Sequence, residues 1–401
     1  MNAEFEFISS GTVTAPKGFT AGATEAGIKQ ENKLDLAILA SEVPCVAAGL
    51  FTRNRIKAAP VVLCQQRLSR GRATGVVINS GCANACTGEQ GLADAEEMTG
   101  LAAAVIGTTP DQVLVASTGV IGQMLPMARL HSAIKQIKLN REGGHGLARA
   151  IMTTDTVPKE AAVRVREGGY TIGGAAKGSG MIHPDLATFL CFLTTDARVD
   201  PGFLQSALKE AADVSFNMVS IDGDTSTNDT LLLLANGLAG NEVISAGTGQ
   251  AEVFQQALES LCIHLAKAIA RDGEGATKMF EIAVQGAPGR AAARQVARTI
   301  VSSPLVKAAV YGNDPNWGRI LAAAGRSGVE IVESRIDLYL GDICLLKSGR
   351  PQPFDHTAAV KHIDRPEVNF TLKLNLGDGS AVAWGCDLTE EYVRINSQYT
   401  T

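Results

Sequence analysis

Short β-branched runs alternate with helix-period segments along this chain, and that alternation is the patterning of an α/β fold, without choosing among α/β arrangements. Gly75–Asn79 (GVVIN) reads as a buried strand and Gly91–Ile106 as the helix after it. Val113–Ser117 (VLVAS) reads as a second strand, stopped by the turn Thr118-Gly119. Met127–Lys138 follows as a helix with Leu130, Ile134 and Ile137 on one face. Tyr170–Ile172 and Ala187–Leu193 read as strands on either side of a glycine-rich connection, AAKGSGMIHPD, and Phe203–Val214 as a helix. The longest helical pattern, Ala251–Ala270, stops at Asp272-Gly273, where glycine suits a left-handed C-terminal cap.

The texture changes after Lys278. A strand (MFEIAVQG) leads into a helix over Gly289–Leu305, then a turn-rich loop, YGNDPNWGR, at 311–319, and two alternating strand stretches at Val329–Leu340 and Val368–Leu376. The expected organisation is a main α/β unit over 1–279 and a smaller α+β unit over 280–401.

Composition removes several classes of function. With charged residues at 19% and a net charge of −5, no electrostatic footprint for nucleic acid exists, and aromatics at 5% leave little for base stacking. The N-terminal MNAEFEFISSG lacks the basic and apolar regions of a secretory signal. The best apolar run, Leu231–Ala239, falls far short of the roughly 18 residues a membrane span needs. A soluble, cytoplasmic protein without membrane partners is expected, its eight cysteines buried as reduced thiols.

Metal and nucleotide motifs fail on inspection. Cys82 and Cys86 lack the further ligands of a zinc site. The acidic run from Asp222 to Asp229 resembles a calcium loop, but Thr227 stands where an EF-hand has glycine and Leu233 where it has its bidentate Glu. Those side chains are expected to satisfy backbone donors in a turn or to brace a site. Gly178-Ser-Gly180 has no third glycine, and no P-loop is present. No metal and no cofactor are expected. His131, His145, His264, His356 and His362 accompany no serine-nucleophile motif, and His183 stands out only for lying near the segment considered next.

That segment runs from Lys177 through Ala187-Thr188 to Cys191. A small residue precedes Thr188, permissive glycines lie upstream, and the threonine opens an apolar strand. Its hydroxyl could attack the Ala187 carbonyl in an N-to-O acyl shift, and hydrolysis of that ester would free the Thr188 α-amine. An α-amino group titrates near about 7.7–8.0, so an appreciable fraction is neutral at pH 7 and can act as base toward its own hydroxyl.

Taken in order, the blocks GTVTAPKGF at 11–19, AAGLFT at 47–52, NSGCAN at 79–84, ASTGVIG at 116–122, MTTDT at 152–156, 177–190, 222–229, GNDPNWGR at 312–319 and YVRIN at 392–396 resemble the ArgJ family of ornithine acetyltransferases. The resemblance covers practically the whole chain. It implies a layered α/β-β/α sandwich of the DmpA/ornithine acetyltransferase kind with a smaller C-terminal α+β domain. It further implies cleavage between Ala187 and Thr188 into an α chain (1–187) and a β chain (188–401), assembled as a heterotetramer of two of each. Thr188 becomes the nucleophile, Thr118 and Gly119 the oxyanion hole, and Thr154, Lys177, Glu274, Asn396 and Thr401, with Thr188 itself, the substrate contacts. Thr153 is the neighbouring alternative to Thr154. The implied reaction passes acetyl from N-acetylornithine to glutamate through an acetyl-Thr188 ester, in ping-pong fashion. Some family members also take acetyl-CoA. A self-cleaving threonine aminopeptidase or amidase is the alternative, distinguished by passing its acyl group to water.

Overall fold

The computed structural model describes residues 4–29, 32–183 and 189–398. Nine strands join one hydrogen-bonded path: β1 (Phe5–Phe7), β2 (Phe19–Thr24), β3 (Leu36–Phe51), β4 (Arg72–Cys82), β5 (Val113–Val120), β6 (Lys159–Val165), β7 (Tyr170–Lys177) and β8 (Leu190–Thr195), with β10 (Thr230–Ala235), which comes after the short β9 (Val219–Ser220). Their order is β1-β6-β7-β8-β10-β3-β4-β5, with β2 also paired to β3. Of the two parallel pairs in this path, β4–β5 and β8–β10, the second, β8 LCFLTT and β10 TLLLLA, is buried at every position, as continuous apolar strands must be when both faces are covered.

β3 decides the shape. Its first half, Leu36–Ser41, pairs with β2 and its second half, Val46–Phe51, with β10. Its register against β4 breaks between Ala40 and Cys45, where Pro44 can donate no ladder bond. There the path folds over on itself. In a flat sheet β10 and β5 would stand three strand spacings apart, about 14 Å. Yet Asn228, just before β10, donates from Nδ2 to the carbonyls of Ala83 (2.6 Å) and Ser117 (2.8 Å) at the ends of β4 and β5.

The period-two alternation of the strands then makes the layers. Leu190, Phe192, Leu232 and Leu234 pack in one core with Ile38, Val76 and Ile78, and that core continues into α1 (Ala59–Leu68), α2 (Gly88–Ile106), α3 (Met127–Ile134) and α4 (Gly144–Ala150). Cys191, Leu193, Leu231 and Leu233 point the other way, into a core shared with α5 (Pro201–Val214) and α6 (Gly249–Arg271). Helix, sheet, sheet, helix is the α/β-β/α sandwich that the family resemblance implies.

Residues after α6 build a second sheet from β11 (Met279–Ala287), β12 (Asp337–Leu340), β13 (Ile343–Lys347), β14 (Arg350–Pro351), β15 (Glu367–Lys373) and β16 (Gly379–Cys386), with β9 at its edge. α6 touches β6 and β7 of the first sheet and β9 and β16 of the second. α7 (Arg290–Val301) packs on β11 and β16, and is followed by α8 (Pro304–Tyr311), α9 (Trp317–Gly325), α10 (His356–Ile363) and α11 (Glu390–Gln398).

Some local expectations change. Gly273 is not a left-handed cap: Asp272 closes α6 at φ −98, and the positive φ falls at Gly275 (+67). Gly273 is needed for space, since a Cβ there would lie 2.7 Å from the Cys386 sulfur. The single helix over Gly289–Leu305 is two helices, because Pro304 lacks the N–H that continuation needs and starts α8 instead. Trp317–Arg319, expected in a loop, open α9. Strand structure in Val329–Leu340 is confined to Asp337–Leu340, and β15 ends at Lys373, before Asn375 turns left-handed (φ +53). The eight cysteines are unpaired; Cys86 is exposed. Among the described residues no helix is long and apolar enough to cross a membrane.

Candidate active site

Thr118 and Gly119 end β5, beside the Ser80-Gly81 end of β4. A polar knot holds these strand ends. Asn79 accepts from the Ser117 hydroxyl (2.6 Å) and donates to the Cys82 carbonyl (2.9 Å), while Asn228 ties the same corner to β10. Gly119 has φ +129, and a Cβ on it would sit 2.3 Å from the Gly81 carbonyl carbon, so no other residue fits without moving backbone.

The Thr153–Thr156 loop is wired from below. Asp155, buried, accepts from the Thr153 N–H (3.0 Å), the Gly178 N–H (2.7 Å) and the Lys159 ammonium (2.7 Å). Lys159 also reaches Asp272 (2.6 Å), which accepts from the Thr156 backbone and hydroxyl. Burial alone would raise the Asp155 pKa; the charges of Lys159 and Lys177 outweigh it and hold the carboxyl well below its usual range. Thr154 is thereby aimed with its hydroxyl 2.6 Å from that of Ser179.

Lys177 closes β7 with its ammonium 3.4 Å from the Thr118 hydroxyl. Burial lowers its pKa, opposed by the Asp155 carboxylate. Glu274, just past α6, is also buried; its N–H donates to the Ser179 carbonyl (2.8 Å) and its carboxylate accepts from the Asn396 amide of α11 (2.8 Å). Among the described residues neither Lys177 nor Glu274 has an ion-pair partner within the protein. Two opposite buried charges are left for a ligand.

Thr118, Gly119, Thr153, Thr154, Lys177, Glu274 and Asn396 line one cavity of about 140 Å³. Ala187, Thr188 and Thr401 lie outside the described residues; Phe189 and Leu190, next along the chain from Thr188, line the cavity too. So do Asp222, Ser226, Asp229 and Tyr392, which were not singled out as site residues. The signal for the first three was a polar run set between apolar strands. Asp222 accepts from the N–H groups of Met181 (2.5 Å) and Ile182 (2.9 Å), bracing the glycine-rich connection. His183 is not part of the lining; its Nδ1 lies 3.1 Å from the Ser220 hydroxyl. Among the described residues no cluster of His, Cys, Asp and Glu is placed to hold a metal ion.

Such a cavity offers a cation, an anion and a tight turn to one small zwitterion-like ligand. A family model described as the ArgJ family matches residues 20–401. The chain belongs to the ArgJ family. Among ArgJ relatives, the arginine biosynthesis bifunctional protein ArgJ of Dehalococcoides mccartyi (strain CBDB1) is 53% identical over 405 residues, 100% of both chains. That of Bacillus subtilis (strain 168) is 47% identical over 395 residues, 98% of this chain and 97% of its own. The crystal structure of arginine biosynthesis bifunctional protein ArgJ from Bacillus halodurans shares 46% identity at a TM-score of 0.50, covering 51% of this chain and 97% of that one. As an ArgJ protein this chain is an enzyme, an acetyltransferase of arginine biosynthesis.

Proposed function

We propose that the chain cuts itself between Ala187 and Thr188 and then serves as a glutamate N-acetyltransferase, carrying acetyl on Thr188. The observation behind the proposal is convergence. Thr118, Gly119, Thr154, Lys177, Glu274 and Asn396 come from five separate stretches of chain and line one cavity, together with Phe189, whose nitrogen is bonded to Thr188.

The chemistry of the lining suits the reaction. Lys177 takes the α-carboxylate that N-acetylornithine and glutamate share, and Glu274 takes the side-chain ammonium of ornithine. The freed α-amine of Thr188 accepts the Oγ proton as Oγ attacks the acetyl carbonyl. Donors at Thr118-Gly119 receive the negative charge on the carbonyl oxygen. Ornithine leaves with the proton, and the glutamate α-amine then attacks the ester and restores Thr188. Exchange of one amide for another needs no external energy source.

Self-cleavage also draws support from the Bacillus halodurans crystal structure, whose chain matches half of this one over 97% of its own length, as a family cut in mid-chain would give. Relatives are named bifunctional, and we extend the proposal to acetyl-CoA as a second donor. The division into units 1–279 and 280–401, a cytoplasmic location and a two-α, two-β assembly belong to the same reading, on the strength of the family resemblance.

Denaturing mass spectrometry tests the cut: a second chain must begin at Thr188, and Thr188→Ala must stay whole and inactive. Incubation with N-acetylornithine tests the transfer. Acetyl must appear on glutamate, whereas steady release of acetate without glutamate would make the enzyme an amidase.

A further inference from the structure

Asn228 lines the cavity but has no task in the proposed mechanism. It is buried, and both hydrogens of its side-chain amide are used: Nδ2 donates to the Ala83 carbonyl (2.6 Å) and to the Ser117 carbonyl (2.8 Å). Two carbonyls can face only the NH2 side of an amide, so its orientation is fixed. Its Oδ1, on the other side, accepts the Thr227 hydroxyl (2.6 Å).

The two accepting carbonyls hold opposite ends of the Thr118-Gly119 turn. Ser117 precedes the turn, and its carbonyl shares one planar peptide unit with the Thr118 nitrogen. Ala83 holds the far end, because its N–H donates to the Val120 carbonyl (2.9 Å). One side-chain amide therefore clamps the turn on both sides. The strand ladder is irregular at this point, since the β4–β5 register shifts between Gly81 and Cys82, beside Gly119. Two residues after Asn228, the Thr230 N–H donates to the Phe189 carbonyl (2.9 Å), and β10 then runs parallel to β8 with Thr230 opposite Leu190. The stretch Asn228–Thr230 thus keeps the turn and the start of β8 at one spacing.

We propose that Asn228 is a positioning residue for acetyl transfer, aiming the donors of Thr118 and Gly119 at the carbonyl oxygen on which negative charge develops. This rests on the reading above that Thr118 and Gly119 supply the oxyanion donors. Asn228 has no amide hydrogen left to give a substrate, so it acts through the turn. Oxyanion donors must stand about 2.7–3.1 Å from the place the charged oxygen will occupy. A displacement of about 1 Å forfeits a factor on the order of 10² in rate. Lys177 at the end of β7 and Glu274 after α6 lie outside the clamp, so the grip on the ground-state substrate does not depend on it. Loss of the clamp is therefore read in kcat and not in KM.

The test is a double-mutant cycle in the full-length protein, with Asn228→Ala, Thr118→Ala and the pair together read by steady-state kinetics and thermal melts. Asn228→Ala is expected to lower kcat by about tenfold to a hundredfold, with KM for N-acetylornithine within about twofold of wild type. Added to Thr118→Ala, it should lower kcat by about threefold or less, because the hydroxyl it aims is already gone. A merely structural asparagine would give the same factor in both backgrounds. That result, a wild-type kcat, or a loss confined to KM each overturns the assignment. If Asn228→Ala does not fold, Thr227→Val takes its place, removing the hydroxyl bonded to Oδ1 while Nδ2 stays; kcat should then fall by about threefold to tenfold, and the same results overturn the assignment. A Thr118→Ala variant with wild-type kcat overturns this inference and the oxyanion reading together. A slow Thr118→Ala beside an indifferent Asn228→Ala overturns this inference alone.

Discussion

Gly180 lies directly against the carboxylate of Glu274: a Cβ at position 180 would stand 2.4 Å from Oε1 and 2.5 Å from Oε2. The neighbouring Ser179 carbonyl accepts the Glu274 N–H (2.8 Å), so main chain and side chain of Glu274 are both seated on the glycine-rich connection. Gly180→Ala should push the flexible carboxylate aside and break its bond to Asn396. KM for N-acetylornithine is expected to rise about tenfold, equivalent to about 1.4 kcal/mol. Stability should hold, since the group displaced is the end of a side chain, and a thermal melt alongside the kinetics checks both halves.

At Gly119 the obstacle is backbone. A Cβ would meet the Gly81 carbonyl carbon at 2.3 Å and the Cys82 nitrogen at 2.6 Å, with φ already at +129. Gly119→Ala should cost about 2–3 kcal/mol in urea unfolding and abolish transfer. Gly122, also left-handed (φ +82) but with open space around it, is the control. Alanine there should cost only about 1 kcal/mol.

Thr118 is tested by truncation. If its donors face the oxyanion, Thr118→Ala should lower kcat by about 10²–10³ with little change in KM. An effect confined to KM would place Thr118 in ground-state binding instead.

The Asp155–Lys159 contact predicts a direction for acid sensitivity. Both side chains are buried, and the Asp155 pKa is depressed in the folded protein. Its unfolded value is about 3.9. The contribution to stability is therefore complete above that pH and is lost as pH falls toward the folded value. Asp155→Asn should cost about 3–5 kcal/mol at pH 7, where it leaves Lys159 partly uncompensated. Below pH about 3.9 the gap between variant and wild type should shrink. Urea titrations at pH 7 and at lower pH measure it; a gap that widened in acid would contradict the assignment.

The strands GVVIN and VLVAS and the helix ending near Ala270 were legible because their signal is periodic and local. The fold-over at β3 was not, since a run as small-residued as LAILASEVPCVAAGLF carries no clean alternation. The same holds at the cavity. By itself Glu274 reads as a solvated residue after a helix cap, yet it is 6% exposed and held by Asn396, 122 positions away. Six of the family-matched positions nonetheless meet at one cavity, because motif blocks mark places where spacing to a ligand matters more than local conformation.

What the amino-acid order determined on its own was which stretches become strand or helix, and, through its motif blocks, the family. Those depend on residues a few positions apart, whose side chains share a face by simple periodicity. Tertiary structure alone decided that Asp229 is buried, that Lys177 and Glu274 face one cavity without ion-pair partners among the described residues, and that Gly180 must stay bare beneath a carboxylate. Burial and close contact are set by chain segments that are distant in sequence, and packing between them leaves no repeating trace along the chain.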